Sequence, residues 1–188
     1  MNGSKRLRSS LFLLCLVGAL LMVTGCGTST LTLKPDSKVD LAQYRSLSIQ
    51  TKSADGVAIT DTAQNRIKDA VKTDIINVSC PKRFDSIYID TETHPDSLLL
   101  VLDFTKYDEG NRLARMMLAG LGAMKINADV EIKDAKSVST ISKGAAGKSF
   151  AWGGVLGAAT GIEDVEKMFA KEVGRGFGEM MGVEPRTN

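Results

Sequence analysis

One segment constrains the architecture more than any other. Across residues 98–107, Leu98, Leu100, Leu102 and Phe104 fall on one side of an extended chain, while Leu99 and Val101 fall on the other. Side chains of a strand alternate with a period of two, so this strand is apolar on both faces. A strand of that kind belongs in the middle of a sheet, with cover on each side. The chain must therefore supply flanking strands and at least one layer of helices.

The flanks are legible. Residues 45–51 carry Leu47 and Ile49 between polar neighbours, and 84–90 form a second short strand. Residues 126–133 alternate, with Ile126, Ala128, Val130 and Ile132 inward and Asn127, Asp129, Glu131 and Lys133 outward. After Asp134-Ala135-Lys136 a weaker strand is expected over 137–142. For the first helix, Thr60 or Asp61 serves as the cap. Ala63, Ile67, Ala70, Val71, Ile75 and Val78 then recur at helical spacing, and Pro81 ends the element. Near the C-terminus, Thr160-Gly161-Ile162-Glu163 has the spacing of a capping box. It opens a helix striped by Val165, Met168, Phe169, Val173, Phe177, Met180 and Met181, which Gly182 can close. The expected fold is α+β, with a mixed or antiparallel sheet of four to five strands packed against two helices in the order β-α-β-β-β-β-α. Gly174, Gly176 and Gly178 each cost the last helix about 1 kcal/mol relative to Ala. Something must approach it closely, and its own sheet is the expected neighbour.

The first residues do not belong to that domain. Lys5, Arg6 and Arg8 precede thirteen uncharged, mostly apolar residues from Leu11 to Val23. That is the length of a signal-peptide core and short of the roughly 20 residues needed to span a bilayer. The run closes on Val23-Thr24-Gly25-Cys26, which resembles the lipobox of bacterial lipoproteins. The resemblance implies that residues 1–25 are removed and that the Cys26 thiol carries a diacylglycerol. One acyl chain anchors only marginally, whereas the three implied here would hold the protein permanently. Gly27 stands where an Asp would signal inner-membrane retention in enteric bacteria, so the lipoprotein resemblance favours the periplasmic face of the outer membrane. Residues 26–38 then read as the lipidated cysteine and a polar tether able to reach about 40 Å. The domain is assigned to 39–182, and 183–188 form a tail.

Composition narrows the function classes. The 188 residues hold 24 Lys+Arg against 22 Asp+Glu. The leader removes three bases and no acid, so the mature chain is formally −1, unlike a nucleic-acid binder. Cys15 leaves with the leader and Cys26 is lipidated. Cys80, read as a buried thiol, has no partner for an intrachain disulfide. Gly144-Ala-Ala-Gly147-Lys148-Ser149 approaches a phosphate-cradling loop, but Ser142 stands where the first glycine is required, and no nucleotide is expected. Asp90, Glu92 and His94 alternate and could face one metal. A polar connection ending at Pro95-Asp96-Ser97 is the simpler reading, and no metal or cofactor is assigned. No G-x-S-x-G elbow or H-E-x-x-H pair is present, so no catalytic residue is assigned.

Two uncharged, glycine-rich stretches stand out. Residues 116–124 (MMLAGLGAM) and 149–162 (SFAWGGVLGAATGI) leave the same end of the sheet if strands 98–107, 126–133 and 137–142 form a meander. Gly153, Gly157 and Gly161 recur every four residues, a spacing that permits close helix approach. Two readings are open. Met116, Met117, Gly120, Gly122, Trp152, Gly153, Gly157 and Gly161 could form an apolar surface for an envelope protein, a second copy or a membrane. Alternatively, both segments fold back as tight loops in which the glycines serve turn geometry.

Gly110-Asn-Arg112-Leu-Ala-Arg115, followed by Gly120-Leu-Gly122-Ala and the alternating strand at 126–133, resembles the bacterial lipoproteins grouped as domain of unknown function 4410. The likeness covers about residues 39–181. It implies a small periplasmic α+β domain held by lipid and, more loosely, an accessory or assembly role; it brings no established activity, so no catalytic residue is carried over from it. The expectation is a non-enzymatic, lipid-anchored binding or accessory protein. The alternative is a self-associating component of an envelope or secretion assembly.

Overall fold

The computed structural model describes residues 28–35, 39–90, 94, 96–118 and 121–183. Cys26, Glu92 and Gly120 lie outside these residues. The strands are β1 (Thr28–Ser29), β2 (Ser46–Ser53), β3 (Ser86–Ile89), β4 (Ser97–Asp108), β5 (Met124–Asp134) and β6 (Thr140–Phe150). The helices are α1 (Asp61–Asp74), which runs into a π-helical turn at Ile75–Ser79, then α2 (Arg112–Met117), α3 (Gly154–Ala159) and α4 (Ile162–Met180). Five substantial strands and the two-residue β1 form one mixed sheet in the order β1-β6-β5-β4-β2-β3. β2 runs parallel to both β3 and β4, while β4, β5 and β6 form an antiparallel meander. The fold is α+β, as read from the sequence, with two short helices and a short strand added.

β4 lies centrally, between β5 and β2. Leu98, Leu100, Leu102 and Phe104 are buried against the layer of α1 and α4, and Leu99 and Val101 are buried on the opposite face. Glu131 pairs across from Val101 and Lys133 across from Leu99. The aliphatic stems of long charged side chains can cover such neighbours while their heads stay in water. Glu131 bridges Lys133 at 2.6 Å and also pairs with Lys143. These contacts hold its carboxyl down at about 2, chiefly through the two lysine hydrogen bonds.

The structure departs from the sequence reading in several places. Residues 28–35 are not a tether. Thr28 and Ser29 pair with Lys148 and Gly147, Leu31 and Leu33 are buried, and Leu31 N donates to Glu172 Oε1 at 2.9 Å. Leu31 and Leu33 find room because Gly144 of β6 and Gly176 of α4 present no Cβ to them. The last strand begins at Thr140 and continues to Phe150, carrying Gly144 to Ser149 as extended chain rather than as a loop. Two of the glycines of α4, Gly174 and Gly178, face the end of α1 and its π-helical turn, and the third, Gly176, faces the N-terminal segment. Gly174 packs on Asp74, Gly178 on the Ser79 carbonyl and Gly176 on Leu31. Finally, Val183 packs on the core and its N–H donates to Gly178 O at 2.9 Å, so the domain runs one residue further.

The caps follow local chemistry. Thr60 Oγ1 accepts from Ala63 N at 3.2 Å and starts α1. α4 starts one residue later than the expected box. Its N-cap is Gly161, whose N–H donates to Asp164 Oδ2 at 3.2 Å. Among the described residues no helix is long and apolar enough to cross a membrane.

Candidate functional site

At one end of the sheet β4 finishes, β5 begins and β6 finishes, with Asp108 across from Lys125 and Met124 across from Phe150. The β4–β5 connection carries α2, and the β6–α4 connection carries α3. These two short helices pack on each other and close that end. The meander thus brings both glycine-rich stretches together.

α2 has its polarity inverted. Asn111 caps it, its Oδ1 accepting from Ala114 N at 2.9 Å. Leu113, Met116 and Met117 then fall at i, i+3 and i+4, the spacing of one helical face. An apolar face normally turns inward, yet these side chains are exposed, Met117 at 72%. Arg115, on the inner side, is 3% exposed. Its Nε donates to Gly157 O at 3.0 Å, and its Nη1 to Gly122 O at 2.9 Å and Glu109 O at 3.3 Å. Its Nη2 reaches Thr160 O at 3.4 Å. A guanidinium has five donors and no acceptor, which suits it to gather carbonyls from several loops. Arg115 ties the exits of β4 and β6 and the entries of β5 and α4 into one unit.

Two glycines make that arrangement possible. Gly110 and Gly122 have φ of +65° and +67°, a region that side chains disfavour. They also approach closely, with Asn111 N donating to Gly122 O at 3.1 Å. A Cβ on Gly110 would lie 2.8 Å from both Ala123 O and Arg115 Nη1. The spacing Gly110, Arg115, Gly122 is therefore that of a turn built around a buried guanidinium.

The residues singled out from the sequence divide accordingly. Met116, Met117 and Trp152 are exposed, the last at 56%. Leu113, Leu121 and Val155 join them, Val155 at 83%. Gly122 shapes the turn, and Gly153 leads into α3. A Cβ on Gly157 would overlap the Trp152 carbonyl group, and one on Gly161 would meet Glu163 Oε2 at 2.5 Å. Gly157 and Gly161 thus serve close contacts within the chain, while Trp152 and Val155 before them are exposed. The glycines thus serve turn geometry and close approach, and the apolar side chains Met116, Met117 and Trp152 are exposed beside them. Sequence reasoning named Arg115 and Leu113 only within the family resemblance and gave them no role, although Leu113, Met116 and Met117 at helical spacing opposite Arg115 were a usable signal.

Two of the polar residues that could have faced a metal make other contacts. Asp90 pairs with Lys68, whose pKa is lowered by burial, and the His94 ring lies 4.4 Å from that of Tyr88. Among the described residues no group of three His, Cys, Asp or Glu is placed to hold a metal. Glu166 is buried and accepts from Arg66 Nη2 at 2.7 Å, Arg66 Nε at 2.8 Å and Tyr107 Oη at 2.8 Å. It joins α4, α1 and β4. The sheet face without helices carries a shallow hollow of about 460 Å³ lined by Lys52, Asp103, Glu131 and Lys143 among others.

Comparison with known proteins bears on this fold. The family model described as Domain of unknown function (DUF4410) matches residues 28–161. No curated protein matches. A crystal structure of a PelC dodecamer from Paraburkholderia phytofirmans is similar at 11% identity and a TM-score of 0.54, covering 79% of this chain and 97% of that one. A variant PelC dodecamer from the same organism gives 11% and 0.53, with 84% and 99% covered. A Xanthomonas campestris protein of the DUF330 family model gives 12% and 0.48, with 81% and 94% covered. At such identities the PelC likeness is one of fold.

Proposed function

The chain belongs to the family described as Domain of unknown function (DUF4410), and from that premise we propose that it is a non-enzymatic, lipid-anchored accessory protein of the bacterial envelope. In this proposal Cys26 carries the lipid, the domain faces the periplasm from the outer membrane, and the α2–α3 end is its contact surface. One observation carries the assignment of that surface. α2 turns Leu113, Met116 and Met117 outward and Arg115 inward, and a helix orientated by core formation would do the reverse. Contiguous exposed apolar side chains of this kind mark interaction sites.

The basic flank, short apolar core and lipobox-like Val23-Thr24-Gly25-Cys26 support the anchor. In the test, the chain and its Cys26→Ala variant are labelled with an acyl-chain probe in cells. Label is expected on the first and absent from the second, which should persist as an unprocessed precursor. A photo-crosslinker at Met117 in intact envelopes then reports what covers the end. Equal labelling of both chains refutes the anchor, and a crosslinker that captures nothing refutes the contact surface.

A second reading is self-association into an envelope assembly. It is supported by the fold shared with PelC, whose crystals contain dodecamers. Ladders of self-crosslinks from Met117 would favour it over a heterologous neighbour.

A further inference from the structure

We propose that the α2–α3 end is covered by a lipid bilayer, so that the domain lies on the membrane rather than hanging from it. The proposal rests on the reading of Cys26 as the lipid-bearing residue and names the occupant of the surface described above.

The chain's path supplies the argument. β1 is antiparallel to β6, with Ser29 across from Gly147 and Thr28 across from Lys148. The backbone therefore enters the domain from the Phe150 side, where β6 leads through Ala151 to the exposed Trp152 and on to α3. Cys26 precedes Thr28 by two residues, a span of at most about 7 Å. The burial of Leu31 and Leu33 removes the slack that a tether would have provided. Lys148 and Trp152 are four residues apart, at most about 14 Å. Acyl chains on Cys26 must enter the bilayer beside this end, and the apolar side chains of that end are brought to the same surface.

The chemistry of the surface suits lipid. Leu113, Met116, Met117, Trp152 and Val155 are exposed there. A tryptophan ring is at home at headgroup depth, where one edge is apolar and the other wet. The exposed charges of the strand ends and α2, Arg112 and Lys125 with Asp108 and Glu109, balance, and Glu163 and Asp164 at the start of α4 add no positive charge. Attraction to anionic headgroups is therefore not the driving force. Apolar contact is, and docking should be insensitive to salt.

Trp152 is the only tryptophan in the chain and sits in the proposed contact. The acylated full-length protein is reconstituted into vesicles of phosphatidylethanolamine and phosphatidylglycerol, with and without brominated acyl chains. Loss of most Trp152 emission in the brominated vesicles, with shielding from aqueous iodide and no change at high salt, is the expected result. In a Met117→Asp/Val155→Asp variant the emission should return, while acylation, co-flotation with vesicles and unfolding temperature stay the same. Emission unaffected by brominated lipid in acylated, vesicle-bound protein overturns the proposal. So does shielding from iodide without bromine quenching, the signature of a second copy or another protein over this end. Absence of acyl groups on Cys26, read by mass, overturns the anchoring and the docking together. The bromolipid measurement on the unaltered protein decides the matter even if the double variant fails to fold.

Discussion

Replacing Arg115 by Met tests whether the α2–α3 end is built around a buried guanidinium. The side chains have similar reach, so packing is largely kept and the donors are lost. Two of the four hydrogen bonds are well formed, Nη1 to Gly122 O at 2.9 Å and Nε to Gly157 O at 3.0 Å. Those to Glu109 O and Thr160 O are longer, at 3.3 and 3.4 Å, and count for little. A hydrogen bond to a charged group contributes about 1.5–3 kcal/mol, so the two short ones together supply about 3–6. Burying an apolar methionine in place of a desolvated charge offsets part of this. The net expectation is a loss of about 3 kcal/mol, close to a hundredfold in the unfolding equilibrium. Typical domains hold about 5–15 kcal/mol, so the variant should still fold. Urea titration followed by circular dichroism gives the stability, and Trp152 emission reports the end itself. Arg115→Lys, which keeps the charge but not the planar fork, should fall between the two. An Arg115→Met midpoint and slope equal to those of the parent, with Trp152 emission unshifted, would refute the reasoning.

Other outcomes follow from the same contacts. Gly176→Ala places a methyl 2.7 Å from Leu31 Cγ and 2.9 Å from Leu31 O; despite the better helix propensity it should destabilise by about 1–3 kcal/mol and expose residues 28–35 to protease. Arg66→Ala leaves the buried Glu166 carboxylate with Tyr107 Oη but without its cation, and should cost about 3 kcal/mol by thermal unfolding. Glu131 has its pKa lowered from the usual 4.5 to about 2, so its pairing stabilises the fold above pH 4.5, and that contribution is lost as pH falls towards 2. Glu131→Gln should flatten this acid dependence by less than about 1 kcal/mol, as read by urea midpoints across that window. Burial pushes the Cys80 thiol up to about 11, so an aromatic disulfide reagent near neutral pH should react with it only after unfolding.

Periodicity located β2, α1, β4, β5 and α4, because each carries an apolar pattern long enough to separate a period of two from one of 3.6. It failed where the pattern was short or diluted. β6 holds Gly144, Ala145, Ala146 and Gly147 in mid-strand, and residues that small contribute too little hydrophobic contrast to show alternation. Residues 28–35 resemble a linker because Leu31 and Leu33 are two apolar side chains among threonines and serines. Their burial depends on Gly144 and Gly176, more than a hundred positions away. The candidate site was legible in composition, as two uncharged glycine-rich stretches, but not in geometry. That Arg115 turns inward while Met116 and Met117 turn outward reflects four carbonyls from two connections, β4–β5 and β6–α4, and no local pattern encodes their convergence.

The amino-acid sequence alone determined the centre of the sheet, through a strand apolar on both faces, and the two long helices, through their stripes. It also placed both glycine-rich stretches at one end on the condition of a meander, which the strand pairing supplies. Tertiary structure alone decided which way that end presents itself and how the chain arrives there. Hydrophobic period is a property of neighbours in sequence, so it is written into each segment. The burial of Arg115, and the pairing of Thr28 two residues after Cys26, are properties of residues that meet only once the sheet has closed.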